Sequence, residues 1–445
     1  MINDKITLKD LSFYTSGGGG VFALIDHTAT QQGREALRRH VQQPPADHVQ
    51  LQELQDVVRY WSVNERKFPQ IISNGTLVML EKFFESADSA SAPPSGITMV
   101  LGAMWQKIIN RNEYFFTSFS VSHLSDFLKG CLELTTLLKE EGLPPMLRRE
   151  LELMDTELQH RLTTQVIAIT KDTSYRDLAH ISYRARREMK HMVYRLMHHY
   201  SRLDAWQSMA KATVLHKWVF PVLLPPYPVC FEAQELSHPL LPFPVPYNIS
   251  FSNRRNFLLL TGANMSGKTT FMRALGVGAL LAHLGMGVPA ASMRISFLYG
   301  IITNMHVEDD LLKGESYFFA EVKRMKHTAE KLVSPEPHLV LMDELFKGTN
   351  VHDAYECTRA VIEGLLQRPD HLMVLSTHLY EVAQHFSQRP DILFACFVTD
   401  MTADGGYKFS YGLREGISND RIGYRILQRE GVLDLLHRKN GNPRT

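Results

Sequence analysis

The chain has 445 residues, 44% of them hydrophobic and 21% charged, with a formal net charge of +1. That length allows roughly two to three domains with sizeable cores, and the near-neutral balance offers no global field for nucleic acid or membrane, so any such contact must be a local patch. Cys131, Cys230, Cys357 and Cys396 are scattered without a C-x-x-C pair, which argues against a zinc site or disulfide framework. MINDKITLKD has no signal-peptide core and no apolar run reaches membrane length, so the expectation is a cytoplasmic protein without a membrane span.

In chain order, Leu11 to Tyr14 and the run Gly17 to Gly20 precede a short helical pattern at Val21 to Ile25. One helix then carries Gly33, Ala36, Leu37, His40 and Val41 up to Pro44-Pro45, and the next carries Leu51, Leu54, Val57, Val58 and Trp61. From about 62 to 215 the spacing is helical almost throughout, with long amphipathic stretches over Leu147 to Ile169 and Tyr175 to Met209. This predicts an elongated all-α domain over 1–214. Within it, Arg184, Arg186, Arg187 and Lys190 belong to a basic run interleaved with Tyr183, Tyr194 and Tyr200. The run reads either as a weak contact to the DNA phosphate backbone or as the solvated face of a helix.

Prolines crowd 216–247, which reads as a junction of short edge strands. Beyond it, apolar strands at Phe257–Leu260, Ile295–Ile302, His338–Met342 and Leu372–Ser376 alternate with helical patterns. That alternation predicts an α/β domain over 215–445, a mostly parallel sheet with helices on both faces. Phe394–Thr399 and Tyr407–Leu413 read as a closing hairpin, and Ser418 to Leu436 as short helices.

The strand at Phe257 opens into Gly262-Ala263-Asn264-Met265-Ser266-Gly267-Lys268-Thr269-Thr270, which fits G-x-x-x-x-G-K-[ST] between strand and helix. Glycines there let backbone N–H groups face an anion, and the following helix adds its positive end. Lys268 is expected at the β- and γ-phosphates and the Thr269 hydroxyl at Mg²⁺. The strand at His338 ends in Asp343-Glu344, with Asp343 expected to hold Mg²⁺ and Glu344 to polarise an attacking water. His378, after the next strand, is expected to hold that water and the γ-phosphate. Ser316 reads either as a helix cap or as a group presented to a partner subunit's γ-phosphate.

Laid side by side, TGANMSGKTTFMRA, DDLLKGESYFFAEVKRM, LVLMDELFKGTNVHDA and STHLYEV closely resemble the ATPase of the MutS family of DNA mismatch-repair proteins. GISNDRIGYRILQREGV resembles that family's C-terminal helix-turn-helix dimerisation segment, about 416–440 here. VFALIDHTATQQGREALRRHVQQPPADHVQLQELQDVV resembles the start of its helical core and lever region. The resemblance implies an ABC/MutS-type P-loop NTPase that hydrolyses ATP with Mg²⁺ as a homodimer. In it Lys268, Thr269, Asp343, Glu344 and His378 act in cis, Ser316 acts on the neighbour's nucleotide, and Asn264 matches the family's loop asparagine. Ala263, Ser266, Tyr317 and Lys347 depart from the family's usual proline, glycine, threonine and arginine. On this resemblance, no counterpart of the family's mismatch-reading domain is expected in the sequence. The expectation is therefore ATP-driven dimer closure coupled to binding of structured rather than base-read DNA, in mismatch repair or recombination; the alternative is an ATP-dependent protein-interaction switch that binds no DNA.

Overall fold

A strand with no polar alternation cannot leave one face in water. Phe257–Gly262 (β4), Gly300–Asn304 (β6) and Leu372–Ser376 (β8) are accordingly buried at every residue. The computed structural model describes residues 4–15, 17–85, 111–170, 172–305, 317–401, 407–418 and 432–437. Contacts divide the chain into two units, one formed by Met1–Ala23, Gln43–His48 and Lys217–Thr445, the other by Leu24–Gln42 and Val49–His216.

The described residues before Leu24 thus pack with the C-terminal unit, which differs from a single boundary near 214. The cause is local: Asp10, at the end of the helix Lys5–Asp10, accepts from Thr303 Oγ1 (2.7 Å) and Arg324 Nη2 (2.9 Å). Leu11 fills the space beside Gly276, where a Cβ would lie 2.4 Å from its Cδ2.

Within the C-terminal unit the main sheet has the order β10-β9-β4-β8-β7-β6, completed by His338–Asp343 (β7), Ile392–Met401 (β9) and Tyr407–Glu415 (β10). All its pairings are parallel except that of edge strand β10 with β9. β9, expected as a hairpin arm, therefore also extends the parallel sheet beside β4, from Phe257↔Ile392 to Gly262↔Phe397. A second sheet, of order β1-β5-β2-β3, contains Val222–Leu224 (β1), Cys230–Leu236 (β2), Tyr247–Ser252 (β3) and Ser292–Ser296 (β5). The single strand expected over Ile295–Ile302 is two, β5 in the small sheet and β6 in the large one. Between them the Leu298 N–H donates to the buried His283 Nε2 (2.8 Å), and Gly300 lies so near the His338 ring that a Cβ would meet it at 2.8 Å.

In the other unit the described elements are all helical. Trp61, Phe83, Phe84, Phe127 and Tyr200 are buried in its core. Each of the two expected long helices is broken, into Pro145–Leu158 and Thr163–Ile167 and into Tyr175–Glu188 and Lys190–Leu215. Buried Met189 caps the third of these through an N–H bond to the Ala185 carbonyl, so the chain turns while its apolar residues stay inside. Asp204 is fully buried and accepts from the Ala29 N–H (2.9 Å), the Thr30 N–H (3.0 Å) and Thr30 Oγ1 (2.7 Å), tying the entry of the helix Gln31–Gln42 to the helix Lys190–Leu215.

Candidate functional site

Parallel strands deliver their C-terminal residues to one sheet edge. β4 ends at Gly262, β7 at Asp343 and β8 at Ser376, and the register sets Asp343 opposite Ser376 and Ser376 opposite Leu260. The Thr377 N–H donates to the Leu260 carbonyl (2.9 Å) and the Glu344 N–H to the Ser376 carbonyl (3.0 Å), so the three strand ends are stitched together.

The loop 262–267 needs its glycines. Gly262 has φ 142° and Gly267 φ 112°, both in the left-handed half of the map. A Cβ on Gly262 would meet the Phe397 carbonyl oxygen at 2.9 Å. Gly267 caps the helix Lys268–His283 without a side-chain bond, leaving its first N–H groups without an intrahelical acceptor. Asn264 and Met265 are exposed at the loop crest, Met265 with φ 66°. Ala263 and Ser266 are buried beneath, and Ser266 Oγ meets no protein partner. Thr270 is half-buried in the first helical turn.

Lys268 Nζ donates to the carbonyls of Gly262 (2.8 Å) and Ala263 (3.0 Å) and lies 3.8 Å from Glu344 Oε1. Burial lowers its pKa, against the pull of Glu344 and Asp343. Thr269 Oγ1 donates to Asp343 Oδ2 (2.8 Å), and Ser376 Oγ donates to Asp343 Oδ1. Glu344 is the meeting point: Lys347 Nζ lies 3.1 Å and His378 Nδ1 3.5 Å from its Oε2. The His378 contact, then Lys347 and Lys268, hold the Glu344 carboxyl at about 2 despite opposing desolvation. Glu344 has φ 53° and Phe346 φ 61°, uncommon for non-glycine residues and costly unless the surroundings enforce them.

The structure therefore brings Gly262 to Thr270, Asp343, Glu344 and His378 to one edge. Ser316 lies outside the described residues, as does most of 416–440, of which 416–418 and the helix Val432–His437 are described. Sequence reasoning assigned no role to Ser376 or Glu321. A polar residue ending an apolar strand beside the Asp343 strand was the available signal for Ser376; for Glu321, which accepts from the Lys347 and Gly348 N–H groups, the sequence carries none.

The basic run is more committed than it reads. Arg184 Nε pairs with Glu188 (3.1 Å), which also receives Arg161 (2.6 Å), and Arg195 pairs with Glu157 (2.5 Å). The Arg186 guanidinium stacks over Phe83 at 4.7 Å and Arg187 over Tyr183 at 4.9 Å, while Lys190 is half-buried.

Residues 258–435 match the family model for MutS domain V. Over that stretch the chain is similar to the MutS family. Among its relatives, the DNA mismatch repair protein MutS of Persephonella marina is 29% identical over 239 residues, covering 53% of this chain and 27% of that protein. The MutS of Streptococcus equi subsp. equi is 31% identical over 196 residues, 44% of this chain and 23% of the relative. The MutS of Thermotoga petrophila is 30% identical over 261 residues, 54% of this chain and 32% of the relative. The match thus spans less than a third of these curated MutS proteins. The mixed sheets of this chain suit an α/β ATPase fold. Among the described residues, no helix is long and apolar enough to cross a membrane.

Proposed function

We propose that this chain is a Mg²⁺-dependent ATPase of the P-loop class, with the ATPase domain over 215–445 and a helical core and lever domain before it. The observation that carries the reading is the convergence of Lys268, Thr269, Asp343 and Glu344 on one sheet edge beside a helix N-terminus without a side-chain cap bond. The residues fit the group. Ser266 Oγ is buried without a protein partner, and the loop excludes a Cβ at Gly262. Thr269 and Asp343 form a hard-oxygen pair suited to Mg²⁺, which keeps few protein ligands alongside phosphate and water. No cluster of three or more His, Cys, Asp or Glu fit for a metal occurs among the described residues, in keeping with so sparse a donor set.

Bound Mg²⁺ supplies neutralisation of the phosphate charge. The chain's own residues do the rest by position. Lys268 donates to the phosphates, while Ser376 fixes the rotamer of Asp343 so that its other oxygen stays with Thr269. Glu344, ionised throughout the neutral range, accepts a hydrogen bond from the attacking water and orients it; a carboxyl near 2 polarises water rather than taking its proton outright. His378 and Lys347 hold that carboxylate in place.

In this reading the chain works as a homodimer through the ATPase domain. Ser316 serves the partner's γ-phosphate, and the segment about 416–440 contributes to pairing. ATP binding closes the dimer and hydrolysis reopens it, coupled to DNA recognised by structure rather than base sequence. One observation favours the second reading, a protein-interaction switch without DNA: the basic run spends its arginines on Glu188, Glu157, Phe83 and Tyr183. Phosphate release by the wild type and Lys268→Ala, with sedimentation in ATP and binding to duplex, branched and mismatched DNA at rising salt, tests the reading. Lys268→Ala is expected to lose turnover, and retained turnover overturns the site. Salt-dependent DNA binding supports the first reading; none at low salt supports the second.

A further inference from the structure

We infer that Glu321 is a positioning residue for the catalytic carboxylate Glu344, a role that rests on the ATPase reading and deepens it. Glu321 is 8% exposed, on the helix Tyr317–Lys331. Its two oxygens are divided between two backbone donors, Oε1 accepting from the Lys347 N–H (3.2 Å) and Oε2 from the Gly348 N–H (3.1 Å). These charge-assisted bonds grip the loop that leaves β7 just after Glu344 and Phe346, both at positive φ. A path through two left-handed non-glycine residues persists only where the surroundings over-determine it, and the Glu321 carboxylate is the polar part of that constraint.

The apolar part lies alongside. Phe346 packs on Phe318 with ring centroids 6.0 Å apart, and a Cβ on Gly348 would meet the Phe318 nitrogen at 2.6 Å, so helix and loop touch backbone to backbone. The helix is itself fixed at the sheet end: Arg324 donates to Asp10 Oδ2 (2.9 Å), the Thr303 carbonyl (2.7 Å) and Asn304 Oδ1 (2.8 Å). Between helix and loop, a cavity of about 20 Å³ lined by Glu321, Arg324, Asp343, Glu344 and Lys347 has room for one water. The chain of contacts runs from the anchored helix through Glu321 to the Lys347 backbone, and from Lys347 Nζ to Glu344 Oε2 at 3.1 Å. Loss of Glu321 takes the carboxylate from two backbone N–H donors and lets Lys347, and with it Glu344, drift from the orientation that water activation needs.

The test is steady-state ATP turnover by wild type, Lys268→Ala, Glu344→Gln, Glu321→Ala, Glu321→Gln and the double variant Glu321→Ala/Glu344→Gln. Each kcat is expressed per nucleotide-binding site titrated with a fluorescent ATP analogue, which removes any unfolded fraction from the comparison. Glu321→Ala is expected to lower kcat about 10- to 100-fold with KM for ATP changed little, the scale of a small misplacement of a reacting group. Glu321→Gln, which keeps one acceptor, falls between wild type and Ala, and carries the test if Ala does not fold. In the Glu344→Gln background Glu321→Ala has no further effect, because the two act as a unit. An unchanged kcat per site, or losses that multiply independently in the double variant, overturns the proposal. A wild type no faster than Lys268→Ala overturns the ATPase reading itself, and the proposal with it.

Discussion

Two regions of the molecule collect charge in opposite ways. In the C-terminal unit, Lys268, Lys347 and His378 come from three separate elements to a single carboxylate, Glu344, whose side chain is 14% exposed. In the helical unit the positive residues come from one stretch of chain and disperse, Arg184 to Glu188, Arg195 to Glu157, Arg186 to the Phe83 ring. The first arrangement shifts the acid strongly, to about 2, whereas Glu188, shared by Arg184 and Arg161, is lowered at the surface, where solvent screens the pair. Charge gathered from distant parts of the sequence marks a site; charge gathered along one helix marks, first of all, a surface.

The largest expected effect breaks the comparison if it fails. Glu344→Gln should reduce phosphate release by about 100- to 10,000-fold, the range for loss of a positioned acid–base group, while ATP binding persists. Charge-neutralising changes in the dispersed region, Glu188→Gln or Glu157→Gln, should leave turnover within about twofold of wild type, since surface pairs contribute little. Equal losses from both regions would erase the distinction.

A pH series sharpens it. The Glu344 carboxyl is depressed in the folded chain from 4.5 to about 2, so its contribution to stability is fully present above pH 4.5, declines as pH falls and is lost through pH 2. The difference in thermal midpoint between wild type and Glu344→Gln should be constant from pH 8 to about 5 and shrink below that. A difference that stays unchanged from pH 5 to 2 would mean that Glu344 is not held by its three neighbours.

The smallest effect concerns DNA. Arg187 stacks on Tyr183 and is exposed, whereas Arg184 is already paired with Glu188. If the helical unit touches phosphates, Arg187→Ala should lower the salt slope of binding by about one, and Arg184→Ala should change it less. Equal slopes in wild type and both variants would remove these residues from any DNA surface.

The glycine loop 262–267 was legible because its pattern is local: a strand, two glycines at positive φ, a lysine and a helix must follow one another along the chain. Asp343 and Glu344 were legible for the same reason, as polar residues ending an apolar strand. What escaped depends on register and distance. Ser376 reaches Asp343 only because β7 and β8 are neighbours with Asp343 opposite Ser376. Asp10 meets Arg324 across the fold, and Glu321 bonds to backbone N–H groups that any sequence would present. The division of Ile295–Ile302 between two sheets was hidden because the run is apolar and lacks a proline, and the decisive bond is to the buried ring of His283. Segment boundaries in the helical unit were blurred likewise, since buried Met189 continues the apolar pattern through the turn.

The central claim is that Lys268, Thr269, Asp343 and Glu344 together hold a magnesium nucleotide. Equilibrium binding of ATP to wild type, Glu344→Gln and Lys268→Ala, with and without Mg²⁺, tests it most directly. The account predicts Mg²⁺-enhanced binding to wild type and Glu344→Gln and at least about tenfold weaker binding to Lys268→Ala, the loss of one charge-assisted contact. Equal affinity in all three proteins, or affinity indifferent to Mg²⁺, would contradict it.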